Sequence, residues 1–401
     1  MEQQPAILKM EGTVQHYNWG GFDYIPELLR IPNSAQQPFA ELWMGAHPSA
    51  PALVWQEQHK IPLDQLIRQD PPALLGTRVA QRFQGRLPYL LKVLDVRQML
   101  SIQAHPSKQQ AEAGFLRENE LGIPLQAPHR NYKDDNHKPE LMVALSDFWL
   151  LHGFKKQEEI ARTLAQIPEW QPLLELFTAN QQIRHLYQYI MELPQARVDE
   201  LLQPLQSRLA LQTPNNKNHP DFWAARAFEQ YATPHGHCDR GIFSIYLFNL
   251  VRLQPGEGIF QASGIPHAYL KGVNIELMAN SDNVFRGGLT NKHVDVPELL
   301  QNLVFEAIAP QVIQPNVTAD YVFTYPTPAT DFRLDKIVLP PGVTLELHPE
   351  DNPQILLVLE GSISLNGAPP VARGSIWLAS AYTHCNISAS VKSTIFRASV
   401  P

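Results

Sequence analysis

Thirty-five prolines run through this chain of 401 residues, and they limit its possible folds more than any other feature. Proline has no amide hydrogen and clashes with the preceding helical turn, so it is kept out of helix interiors and central strand positions. A chain punctuated this often must be assembled from short elements. Residues 39–44, 87–95, 99–104 and 141–144 are apolar runs of strand length bounded by turn residues. Residues 62–84 carry Leu63, Leu66, Ile67, Leu74 and Leu75 at helical spacing, with Pro71-Pro72 splitting the helix.

The pattern changes at about residue 154. Ile160, Leu164, Ile167, then Leu173, Leu174 and Phe177, then Ile183, Leu186, Tyr187 and Ile190 recur with the period of one helix face, so residues 154–240 are expected to form a helical module. The polar stretch 213–220 is a loop inside it, and β structure is expected to return near Gly241, with strands at 242–253 and 258–260 and a short helix at 296–305. Strand signals then recur about every ten residues at 336–339, 344–347, 354–359, 362–365, 375–378 and 393–398, as in a sandwich or small barrel. The chain reads as mainly β with a helical insertion, divided into 1–153, 154–240, 241–315 and 316–401.

A net charge of −7 without long charged runs gives no basic stripe for a nucleic acid backbone. A small anion remains a possible ligand, because a few cations converging in one cleft outweigh a mildly negative total. Cys238 and Cys385 stand alone, outside any CxxC spacing, which reads as free thiols in a reducing compartment and excludes a cysteine zinc site. Residues 1–12 lack a signal-peptide core and no stretch approaches a membrane span, so a cytoplasmic protein without a membrane partner is expected.

Three stretches carry chemistry. In Ser101-Ile102-Gln103-Ala104-His105-Pro106, an extended backbone turns Ser101, Gln103 and His105 to one face, half of a metal site, although taken alone the stretch reads rather as an edge-strand histidine in a polar patch. Tyr132 to Glu140 leads into the apolar run 141–144, so Glu140 is drawn inward and needs a cation or a partner, whereas Lys133, Asp134 and Asp135 read as a charged surface loop. His267 follows a Gly-Ile-Pro turn, and Glu276, Asp282, Arg286 and Lys292 follow it. His105, Glu140 and His267 together suit zinc or another borderline divalent metal, with Gln103 an unusual fourth ligand. In the last eighty or so residues, His348, Glu360 and His384 lack any such accompanying signature and read as metal-free.

These stretches resemble type I phosphomannose isomerase, a zinc enzyme family of the cupin superfamily. Residues 132–140 match its Y-x-D-x-N-H-K-P-E signature at every fixed position. Residues 267–292 follow its second signature, H-A-Y, then E-x-M-A-x-S-D-N, then R-x-G-x-T, departing at Phe285, Gly287 and Asn291 but at no ionisable position. The stretches QHYNWGG, with Trp19 and Gly20, and ELWMGAHPSAP from Glu41 are similar too, so the resemblance spans residues 15–295. It implies two cupin-like jelly-roll β domains plus an α-helical domain, and one zinc ion per chain on Gln103, His105, Glu140 and His267. It also implies Arg286 as a catalytic residue and a sugar phosphate substrate.

The implied reaction interconverts mannose 6-phosphate and fructose 6-phosphate through an enediol, whose oxygens need a Lewis acid and a cation. Arg286, always protonated, suits the second role. Lys138, Glu276 and a zinc-bound water stand level as proton carriers, and Asp282 is expected to orient Arg286 by a charge-assisted bond. Ser101, Lys92 and Lys292 are candidate phosphate anchors, with Lys92 equally a strand lysine reaching to solvent, and Trp19 a candidate wall for the sugar or a core residue. A mononuclear iron dioxygenase and a non-catalytic sugar-binding cupin are the competing classes. A monomer or weak homo-oligomer is expected.

Overall fold

Gly272 adopts φ +132°, a conformation that L side chains rarely take, and this lets the strand His267–Ala279 bend and serve two sets of neighbours. The computed structural model describes residues 6–212, 215–232 and 235–401. Residues 1–5 of the N-terminal stretch, Thr213 and Pro214 of the polar loop, and Thr233 and Pro234 of the helical block lie outside them.

Before the bend, His267–Ala279 pairs with Phe148–Phe154 on one side and Gln103–Ala104 on the other. After it, the partners are Tyr89–Val96 and Glu140–Ala144. Phe248–Leu253, Phe285–Arg286, Gly258–Gln261, Glu41–Gly45 and Thr13–Gln15 extend these pairings into a ten-stranded antiparallel sheet. Alternation then gives two apolar faces. Leu94, Met142, Leu150, Ile259 and Tyr269 close the interior, while Leu91, Val93, Leu141, Val143, Ile275 and Leu277 pack on Leu334, Ile355, Leu357 and Phe396.

The latter residues belong to a nine-stranded sheet that runs Asn316–Ala319, Val322–Tyr325, Arg333–Leu339, Ser393–Ser399, Gln354–Glu360 and Ile376–Ala379. It is continued by Ile7–Glu11, Leu53–Gln56 and His59–Pro62 from the start of the chain. A four-stranded sheet, Thr344–Leu347, Cys385–Ala389, Ser362–Leu365 and Val371–Ala372, covers part of it around Ile337, Leu356, Val358, Ile363 and Ile387. The fold is mainly β, as the proline spacing predicts.

Helices Gln157–Ala165, Gln171–Asn180, Ile183–Glu192, Gln195–Leu211 and Pro220–Gln230 surround Trp170, Leu186, Leu202 and Trp223. The expected strand at 242–253 is corrected: Gly241–Leu247 is a helix and β structure returns at Phe248. All seven residues of that helix are buried, and a run buried on every side has no period to distinguish helix from strand. The run 99–104 is strand only at Gln103–Ala104. Residues 62–84 are split as expected, into Leu63–Gln69, Pro71–Leu75 and Thr77–Arg82.

Candidate metal centre

Strand register assembles the site. Arg286 lies opposite Gln103, Gln103 opposite His267, and His267 opposite His152, so four side chains from four adjacent strands form one row on one face. His105, two residues beyond Gln103, follows on the same side, and Glu140 enters at the head of its own strand. His105, Glu140 and His267 are 1%, 4% and 4% exposed, and one ligand atom from each lies within 4.8 Å of the others.

The tautomers are fixed by backbone carbonyls, which only accept. His105 Nδ1 donates to the Asn283 carbonyl at 2.7 Å and His267 Nδ1 to the Ile265 carbonyl at 3.0 Å, so both Nε2 atoms carry lone pairs. Those lone pairs face the Glu140 carboxylate at 3.4 and 3.3 Å, and His105 Nε2 is buried without a hydrogen-bond partner. Burial holds the His105 imidazole down at about 4, neutral at physiological pH. Acceptors converging on acceptors in a dry site fit a divalent cation, and imidazoles oriented through the far nitrogen are the usual support for metal ligands. Gln103, across from His267, completes a set of four candidate ligands.

Around this centre lies a chain of buried charges. Lys138 Nζ stands 3.3 Å from Glu140, and Lys92 Nζ bridges Glu276 at 3.2 Å and Glu41 at 3.4 Å. Tyr269 donates to the second Glu276 oxygen at 2.8 Å. Burial raises the Glu276 carboxyl; Lys92 pulls it back, and the neighbouring Glu140 and Glu41 leave a net rise. Lys92 is buried, its ammonium shared by two carboxylates over the Trp43 ring, and it also lines the floor of the adjoining cleft. Its charge is thus largely committed to Glu276 and Glu41.

A cleft of about 660 Å³ opens beside the centre, lined by Ser101, Gln103, Lys138, Arg286, Lys292 and Trp19 among others. Trp19 is half-buried in its wall and stacked on Tyr17, with ring centroids 5.9 Å apart. Asp282 departs from expectation, since its carboxylate takes His47 Nε2 at 3.3 Å rather than Arg286. Arg286 has no carboxylate partner among the described residues, and burial lowers its guanidinium from the usual value. His47 was legible only as part of ELWMGAHPSAP.

The reading of Asp134 as a solvated loop residue is likewise corrected. Its carboxylate accepts from Ser281 Oγ and from the amides of Asp282 and Asn136. Asn283 accepts from the Lys133 amide at 2.7 Å and donates to the Asp134 and Asn136 carbonyls. The fixed Asp, Asn and Ser positions of both signatures are thus one clasp, which ends in the carbonyl that orients His105. In the last part of the chain, His384 and His348 face Glu346, while Glu360 accepts from Thr394.

The family model "Phosphomannose isomerase type I, catalytic domain" matches residues 7–157. The chain is 40% identical to mannose-6-phosphate isomerase of Escherichia coli over 81% of its length and 82% of that protein's. It is 35% identical to the Rattus norvegicus enzyme over 93% of each. The Salmonella typhimurium mannose 6-phosphate isomerase, solved with fructose 6-phosphate and zinc bound, superposes with a TM-score of 0.88 at 34% identity, covering 98% of this chain and 99% of that one.

Proposed function

The chain belongs to the type I phosphomannose isomerase family, and from that premise we propose how its residues carry out the reaction. It is a zinc-dependent aldose–ketose isomerase that interconverts mannose 6-phosphate and fructose 6-phosphate. In our reading Gln103, His105, Glu140 and His267 hold the ion, supported above all by the two histidine lone pairs aimed at Glu140. When bound, zinc supplies a Lewis acid for the oxygens at C1 and C2.

Arg286, its charge uncommitted, faces the cleft and holds the enediolate oxygen as the proton leaves C2. Lys138 and Glu276 differ in access. Lys138 lines the open cleft, whereas Glu276 sits in the inner cavity with its oxygens engaged by Lys92 and Tyr269. We assign proton transfer between C2 and C1 to Lys138, with Glu276 and Lys92 fixing the field around Glu140. Ser101 and Lys292 take the phosphate and Trp19 walls the sugar, since all three line the cleft and Lys292 makes no ion pair among the described residues. Asp282 holds His47.

On the scale of domains, we propose two cupin-like β bodies: 1–153 with 241–315, carrying the centre and interrupted by the helical block 154–240, and 316–401. The strands Ile7–Glu11, Leu53–Gln56 and His59–Pro62 are lent to the second sheet. Two buried free thiols fit a cytoplasmic location, and we expect a monomer or weak oligomer without nucleic acid partners. A coupled assay from mannose 6-phosphate to fructose 6-phosphate, with and without a chelator, tests the reading. Turnover abolished by the chelator and restored by zinc supports it; no turnover by the zinc-loaded protein, or oxygen uptake with iron, overturns it.

A further inference from the structure

Next to the cleft, across the wall formed by Gln98 and Met99, lies a separate concavity of about 410 Å³. Arg97, Arg226 and Lys271 line it, against a single carboxylate, Glu229. Their convergence is built by the fold. Val96 is the register partner of Gly272, which sets Arg97 beside Lys271, and Arg226 lies one turn beyond Trp223 on Pro220–Gln230, with both facing the same space. Lys217 stands close by, over the Trp149 ring at 4.7 Å.

None of these four cations makes an ion pair among the described residues. Arg97 and Arg226 rest on Phe22 and Phe222, and burial together with the charges of Lys217, Arg226 and Arg97 lowers the Lys271 ammonium, against a weaker pull from Asp95. On a chain of net charge −7, four neighbouring cations without ion pairs, facing only Glu229 and the more distant Asp95, are incompletely neutralised and repel one another, a cost that a bound anion reduces. A concave surface with two planar guanidinium forks and a lysine suits phosphate oxygens.

We propose that this concavity is a second anion site, which binds the phosphate groups of a small phosphorylated metabolite while the sugar phosphate substrate occupies the cleft. It extends beyond the isomerase reading. Gln230 ties the two spaces together, donating to the Met99 carbonyl at 2.7 Å and accepting from its amide at 3.0 Å, so simultaneous occupancy must be measured.

The test is calorimetric titration of the zinc-loaded protein with fructose 1,6-bisphosphate, alone and under saturating fructose 6-phosphate. Binding is expected to persist under saturation. It should weaken at least tenfold in the double variant Arg226→Ala with Lys271→Ala, and likewise in Arg226→Glu, whose exposed position leaves folding intact. Isomerase turnover should stay within about twofold of the parent in both, because neither residue touches the metal centre. Bisphosphate fully displaced by fructose 6-phosphate, or bound equally by parent and variants, overturns the proposal. Because turnover is read separately, failure of the isomerase reading would not be mistaken for failure of this one.

Discussion

At the scale of single residues, the proposed site separates groups assigned to the metal from groups assigned to charge in the cleft. His267 Nε2 is 3.3 Å from Glu140, with Nδ1 committed to a carbonyl, so His267→Ala should lose zinc itself, measured by metal analysis after dialysis. Arg286→Ala should keep zinc and lose turnover by about a hundredfold or more, the size expected for removing one oxyanion donor. A parental rate in that variant would end the electrostatic role. Asp95 offers a prediction about stability. Burial, with Asp23 nearby and only partial relief from the Tyr24 amide and Lys271, raises its carboxyl to about 6 from 3.8. A raised folded-state value means the folded protein resists ionisation, so stability is lost as pH rises from the unfolded value through the folded one. Asp95→Asn should therefore be neutral at about pH 4 and stabilising by about 1–2 kcal/mol above pH 7, discounted for partial exposure. Urea unfolding at the two pH values checks it; equal effects at both would refute it.

At the scale of elements, the bend in His267–Ala279 does the most to bring ligands together. An added Cβ at Gly272 would meet Phe148 Cδ2 at 2.6 Å and the Asp147 carbonyl at 2.7 Å, in a backbone conformation already strained for any side chain. Gly272→Ala should cost about 3 kcal/mol or more in urea unfolding, and should loosen zinc binding with it. The bend was hidden in the sequence because a lone glycine in a strand pattern marks many different irregularities. Phe148–Phe154 and Gly241–Leu247 were hidden for another reason: every residue in each is buried, so neither shows a period. The helix Lys108–Glu120 did leave a trace, the Ser107 and Gln110 pair of its capping box, but its buried face is only Ala111, Gly114 and Glu118. The site was easier to read than the fold around it, since a nine-residue signature carries chemistry that strand order does not. What even the signature could not reveal is which charges neutralise which: Asp282, expected on Arg286, pairs with His47, and Lys92 is shared by Glu276 and Glu41.

At the scale of the whole molecule, the two large sheets share one interior. Leu141, Val143, Ile275 and Leu277 on the back of the sheet that carries the candidate metal centre pack on Leu334, Ile355, Leu357 and Phe396. Truncation after residue 315 would bare that face, and the shortened protein should aggregate and fail to bind zinc; a soluble, zinc-loaded fragment by size exclusion would contradict the shared interior. Ile7–Glu11 is also wedged between Ile376–Ala379 and Leu53–Gln56, so this strand must wait for a segment made much later in the chain before its second edge is closed. During synthesis the nascent chain therefore carries this edge unsealed until Ile376–Ala379 has emerged, which makes late closure and a need for protection from neighbours intrinsic to this topology.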